Sequence, residues 1–236
     1  MYRVVTAATL ALLLAACSRG EPVPEPADTG AVPAQSAEPA AASLPVMGQE
    51  RRVLAVGDSL FAGYGLATPA DAYPARLEKA LRARGINARI TNAGVSGDTT
   101  AAGATRFAFV LKSQAQKPDL VILEFGGNDI LRALPPEQTR ANLAKMLAQA
   151  KAAKVPVLLM GMLAPPNLGA DYKAKFEPIY PALARQYGAK LVPFFLAPVI
   201  DKPALIQPDH LHPTAQGVDT IVAATVDQVA AALPGG

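Results

Sequence analysis

Apolar residues along this chain recur with two different periods. Runs at Arg51–Val56, Ile86–Thr91, Asp119–Phe125, Val155–Met160 and Leu191–Phe195 have the length and β-branched content of strands. Asp119-Leu-Val-Ile-Leu-Glu-Phe125, apolar almost throughout, is the pattern of a strand buried on both faces. Between the runs the period lengthens. Tyr73–Arg84 sets Leu77, Ala80 and Leu81 at helical spacing and stops at Gly85; a second helix is expected over Thr99–Gln114. Pro135-Pro136 opens a third, to Ala153, with Leu143, Met146, Leu147 and Ala150 on one face. The stretch carrying Tyr172, Phe176, Ile179 and Leu183 is helical in pattern but holds Pro178 and Pro181, which predicts a break near them. Thr214–Leu233 carries Val218, Ile221, Val222, Val226 and Val229 inward. Runs alternating with amphipathic stretches predict βα units, an α/β fold and a mainly parallel sheet of five strands in one domain.

The pattern is different before Gln49. After Met-Tyr-Arg, Val4–Ala16 is apolar, too short to span a bilayer, and ends in small residues, so residues 1–16 read as an export signal. The only cysteine follows at once, and Leu14-Ala15-Ala16-Cys17 resembles the bacterial lipobox, which implies that Cys17 is lipidated. A lone cysteine forms no internal disulfide. Residues 17–48 are rich in Pro, Ala, Glu and Ser without an apolar period, as expected of a tether, whose residues could reach up to ~100 Å from a membrane when extended. Residues 49–236 then form the domain. The expectation is an exported bacterial lipoprotein, and because Ser18 is not the aspartate associated with inner-membrane retention, the outer membrane facing the periplasm is its destination. The net charge is only +3, with Lys and Arg interspersed among Asp and Glu, which argues against a nucleic-acid partner; no protein partner is predicted.

In open α/β sheets, ligands bind beyond the carboxyl ends of the strands. Three predicted strands end there in polar, glycine-rich loops: Gly57-Asp58-Ser59, Asn92 to Thr99, and Gly126-Gly127-Asn128-Asp129. Ser59 is the candidate nucleophile, although an Asp/Ser turn closing a strand explains the same residues. The Gly-x-Ser-x-Gly elbow is absent, its nearest approach being Gly94-Val95-Ser96-Gly97-Asp98. A Walker loop is also absent, and Gly63-Tyr64-Gly65 lacks the third glycine of a dinucleotide fingerprint, at Thr68. The two histidines of the chain both lie in Gln207-Pro-Asp-His-Leu-His-Pro213. Asp209, three residues before His212, is placed to bond one ring nitrogen while the other faces a neighbouring loop. A surface turn is one competing reading. A metal site built on Asp209, His210 and His212 is another, but no Cys or further His is left to complete it.

Taken together, these residues resemble the GDSL (SGNH) hydrolases. Gly57-Asp58-Ser59-Leu60 matches the family's first block, Ser96-Gly97-Asp98-Thr99 its second, Gly126-Gly127-Asn128-Asp129 its third and Asp209-x-x-His212 its last, in the family's order. More narrowly, Asn92–Thr99, Glu124–Asp129 and Ile179–Ala184 are similar to the bacterial multifunctional acyl-CoA thioesterase/protease/lysophospholipase and arylesterase branch. The resemblance implies a three-layer α/β/α, flavodoxin-like fold. It makes Ser59 the nucleophile, His212 the general base and then acid, and Asp209 the residue that orients the imidazole. The backbone N–H groups of Ser59 and Gly97 and the side-chain amide of Asn128 would form the oxyanion hole, a glycine allowing close backbone approach and an amide donating without titrating. Asp58 and Asp129 are read as loop struts and His210 has no assigned role. No metal or other cofactor is expected. The implied reaction is hydrolysis of carboxylic esters, such as aryl esters or lysophospholipids, through an acyl-serine, with thioesters accessible to the same site. Deacetylation of a polysaccharide and a catalytically silent acyl-binding lipoprotein are the alternatives.

Overall fold

The computed structural model describes residues 45–235; Cys17, the export signal and most of the tether lie outside the described residues. Five strands, β1 (Met47–Gly57), β2 (Ile86–Gly94), β3 (Leu120–Glu124), β4 (Val157–Met160) and β5 (Lys190–Val192), form one sheet in the order β2-β1-β3-β4-β5, every pair parallel. Parallel neighbours require crossovers, which the helices supply. These are α1 (Ser59–Ala62), α2 (Tyr73–Ala83), α3 (Thr100–Lys112), α4 (Gly127–Leu131), α5 (Pro136–Ala152), α6 (Ala170–Phe176), α7 (Ile179–Tyr187) and α8 (Ala215–Ala232). α2 packs on α8, whereas α3 and α7 pack on α5, giving the helical layers of a three-layer α/β/α domain. All five residues of β3 are buried, the four apolar ones as their pattern requires and Glu124 with them. Tyr73, from α2, stacks on Phe61 at 5.3 Å between ring centres, and its hydroxyl pairs with Thr225 of α8 at 2.8 Å.

Several boundaries differ from the pattern. β1 begins at Met47, so two residues that composition places in the tether belong to the first strand, where Met47 pairs with Ile86. β2 continues to Gly94 rather than ending at Thr91, because Gly57 of β1 offers it a ladder partner. β4 starts two residues late, since the Val155 N–H closes the end of α5 on the Ala150 carbonyl. β5 stops at Val192: Pro193 has no N–H to give the ladder, and Phe195 instead donates to the Gly161 carbonyl at 2.9 Å. The helix interrupted by proline is two helices, α6 and α7, with Glu177 and Pro178 between them. Strand order reverses beside β1, and the loops after β1, β2 and β3 converge at that switch point.

Candidate active site

Ser59 is the first residue of α1. Asp58 caps this short helix, its Oδ1 accepting the Leu60 N–H at 3.1 Å, so the Asp/Ser turn and the half-buried serine are one structure. The chain between β5 and α8 folds back to meet it. Ile206 and Pro213 form an isolated bridge, and the Gln207 N–H donates to the His212 carbonyl at 2.7 Å, closing a tight loop with His210 in a left-handed conformation (φ +61°). Within this loop Asp209 Oδ1 accepts the backbone N–H groups of Leu211 (2.9 Å) and His212 (3.0 Å), while Oδ2 lies 2.6 Å from His212 Nδ1. Partial burial pushes the Asp209 carboxyl up, but the His212 and Leu211 N–H groups and the His212 ring more than offset this and hold it down at about 2. An ionised carboxylate on Nδ1 keeps the proton there. Nε2 is then the free acceptor, and it lies 2.8 Å from Ser59 Oγ. Both ring nitrogens of His212 are thereby engaged, which leaves none for the metal-ligand reading of this loop.

Asn128 reaches the same place from α4. Its Nδ2 donates to Asp58 Oδ2 at 3.1 Å, so one amide hydrogen is fixed and the plane of the amide with it. The preceding turn depends on Gly126, whose φ is +119° and where a Cβ would meet Tyr180 Oη at 2.1 Å. Gly97 lies in the turn after β2, with φ +85° and its carbonyl held by Arg132 Nη2 at 3.0 Å. It does not line the cavity beside Ser59. That cavity, about 260 Å³, is lined by Ser59, Asn128 and His212 together with an apolar set that includes Leu60, Ile130, Met162, Pro165, Phe194 and Leu196. A serine hydroxyl hydrogen-bonded to an imidazole, itself oriented by a carboxylate, is an arrangement able to attack an acyl carbon.

The GDSL-like lipase/acylhydrolase family profile matches residues 55–219 of the sequence. The chain belongs to that family. It is an ester hydrolase. Esterase TesA of Pseudomonas aeruginosa is 43% identical over 161 residues, which are 68% of this chain and 79% of that protein. The thioesterase 1/protease 1/lysophospholipase L1 of Escherichia coli K12 is 40% identical over 161 residues, 68% of this chain and 74% of its own. Among solved structures, the SGNH-hydrolase family esterase AlinE4 is 61% identical, covers 80% of this chain and 100% of its own, and superposes with a TM-score of 0.67.

The site of this GDSL-like hydrolase contains more than the pattern alone indicates. Asp58, read as a strut, carries the Asn128 amide, and beneath it Glu124 is wholly buried at the end of β3, its Oε2 accepting the Asp58 N–H at 3.2 Å. Asp129 does act as a strut: it accepts the Thr100 N–H (2.8 Å), the Thr100 hydroxyl (2.5 Å) and the Thr139 hydroxyl (3.0 Å), tying α4 to α3 and α5. Arg106 of α3 joins the ends of β1 and β2 to the loop after β2 and reaches the first residue past β3. Its Nε donates to Asp98 Oδ2 (2.7 Å), Nη1 to the Ala93 carbonyl (2.8 Å) and Nη2 to the Gly57 carbonyl (3.0 Å), and its guanidinium sits 5.8 Å from the Phe125 ring centre. Tyr64 lies with its ring centre 4.6 Å from that of His212. Gln207 ties the two loops together, its Nε2 donating to the carbonyls of Tyr64 and Pro213, both at 2.9 Å.

Proposed function

We propose that this chain hydrolyses carboxylic esters bearing an apolar acyl group, in two steps through an acyl-serine at Ser59. The carrying observation is the continuous chain Asp209–His212–Ser59, 2.6 and 2.8 Å per link, opening on an apolar cavity. In the first step His212 Nε2 takes the hydroxyl proton as Ser59 Oγ bonds to the ester carbonyl carbon. The resulting imidazolium, stabilised by Asp209, returns that proton to the leaving alkoxide as the ester C–O bond breaks. Water then enters, loses a proton to Nε2, attacks the acyl-enzyme, and releases the acid with the proton restored to Oγ. In both steps the negative oxygen is stabilised by the N–H groups of Ser59 and Gly97 and the amide of Asn128.

The lining residues favour an alkyl or aryl acyl group over a sugar, since they offer dispersion contacts and few hydrogen-bond partners. Lysophospholipids and aryl esters both fit this description, and thioesters are open to the same chemistry. The Leu-Ala-Ala-Cys sequence supports an exported, lipidated protein whose tether holds the domain near a membrane. Export would separate it from cytosolic acyl-CoA and leave oxygen esters as the substrates at hand.

The test is turnover of p-nitrophenyl esters of graded chain length by wild type and Ser59→Ala. Wild type is expected to prefer chains beyond acetate and the variant to retain no more than a small residue of turnover. An acetate optimum would favour deacetylation, and undiminished turnover in the variant would remove Ser59 from the chemistry.

A further inference from the structure

Glu124 stands in a strand that is buried throughout, and its neighbour Asp58, from the loop after β1, is itself a buried acid. Among the described residues no cation pairs with it. Its Oε2 accepts the Asp58 N–H, and Gly57 lies so close that a Cβ there would stand 2.8 Å from that oxygen. Its Oε1 is fully buried and meets no N–H or O–H donor. The Asp58 backbone that donates to Oε2 carries a carboxyl that is itself buried, so two buried carboxyl groups lie side by side. Such a pair does not stay doubly ionised, because neither desolvation nor mutual repulsion is relieved.

The charge is better placed on Asp58, which accepts from the Leu60 N–H and the Asn128 amide and feels His212 across the site. Glu124 has a single donor. Burial, then the neighbouring Asp58 charge, pushes the Glu124 carboxyl well above the usual range. The other titratable or charged groups around the pair are Tyr180 from α7, whose hydroxyl donates to the Phe125 carbonyl, and Arg106 from α3, engaged on the Gly57 carbonyl.

We infer that Glu124 is a positioning residue: Glu124 and Asp58 share one proton, Glu124 donating it to the Asp58 carboxylate, and this bond fixes the carboxylate that orients the Asn128 amide. The inference rests on the reading of Asn128 as an oxyanion donor. The proton has a second consequence, since a carboxylate held by a neutral acid accepts from the amide without repelling the negative oxygen as strongly as two charges would.

The test uses the full chain with Glu124→Gln, whose amide N–H can replace the acid as donor, and Glu124→Leu, which cannot donate. Difference infrared spectra near pH 8 are expected to show the carbonyl band of an un-ionised carboxylic acid in wild type, absent in Glu124→Gln. Glu124→Gln is expected to keep kcat within about threefold, and Glu124→Leu to lose about ten- to hundredfold in kcat with KM little changed, a fraction of what deleting an oxyanion donor costs. Should Glu124→Leu not fold, pH-dependent unfolding of the other two decides. The raised Glu124 group costs wild type stability as pH rises from its unfolded value toward its native one, so Glu124→Gln should gain on wild type from about pH 5 upward. No acid band, no such gain, or an undiminished kcat in Glu124→Leu would overturn the inference. Asn128→Ala, assayed alongside, identifies the failed step: if it too turns over normally, the fault lies in the oxyanion reading and not in the shared proton.

Discussion

Replacing Arg106 by alanine removes a side chain that joins the ends of β1 and β2 to the loop after β2 and lies beside Phe125, just past β3. Its ion pair with Asp98 is mostly sheltered, the two side chains being 21% and 15% exposed. Loss of the cation therefore strands a carboxylate that is only partly hydrated, which we put at about 2 kcal/mol, below the 3–5 seen for fully buried pairs. The Gly57 carbonyl keeps the Val95 N–H as a partner, so its loss is small, whereas the Ala93 carbonyl forfeits a 2.8 Å bond. That bond and the cation–π contact with Phe125 add about 1 kcal/mol together. The expected loss is about 3 kcal/mol, or roughly 6–12 °C in Tm for a domain of this size. Arg106→Lys keeps the charge but not the fork, and should recover about half of it. Urea unfolding of both variants, with kcat measured on the folded fraction, provides the assay. A tenfold fall in kcat should accompany the destabilisation, because Ser59 and Gly97 sit on the loosened loops. A loss below about 1 kcal/mol, the scale of an exposed ion pair, or a lysine variant equal to wild type, would refute the reasoning.

Three further outcomes are expected. Gly126→Ala places a Cβ 2.1 Å from Tyr180 Oη at a φ of +119° and should cost about 2–4 kcal/mol in unfolding experiments, with partial recovery on adding Tyr180→Phe. The Asp209 carboxyl is held below its ordinary value, so its stabilisation is present above about pH 4 and lost as pH falls through about 2; the Tm advantage of wild type over Asp209→Asn should shrink across that window. Cys17→Ser should move the protein from the membrane fraction to the soluble one, and mass spectrometry of the mature wild-type N-terminus should find an acylated cysteine.

Legibility followed range along the chain. Asp209 and His212 were readable because the carboxylate and the ring it orients share one turn, and Ser59 because an abrupt stop in an apolar run marks a strand's carboxyl end. Arg106 was hidden, since its hydrogen-bond partners are carbonyls at two strand ends and a carboxylate on a loop, which only the folded sheet assembles. Tyr64 lies within a glycine pair that reads only as an incomplete nucleotide motif, and its approach to His212 depends on Gln207. Glu124 did leave a trace. A lone acid inside a strand otherwise apolar on both faces has to be explained, and here the explanation lies in a second carboxyl on the adjacent strand's loop. Strand ends were misplaced where a neighbour or a missing donor decides pairing, as at Gly94 and Pro193.

The separation of 153 residues between nucleophile and base has a temporal meaning. The three loops proposed to hold the oxyanion follow β1, β2 and β3, and every strand is complete by Val192, before a ribosome has made either histidine. Ser59 therefore has no base until the last segment has been made and folding has brought the Asp209–His212 loop against Tyr64.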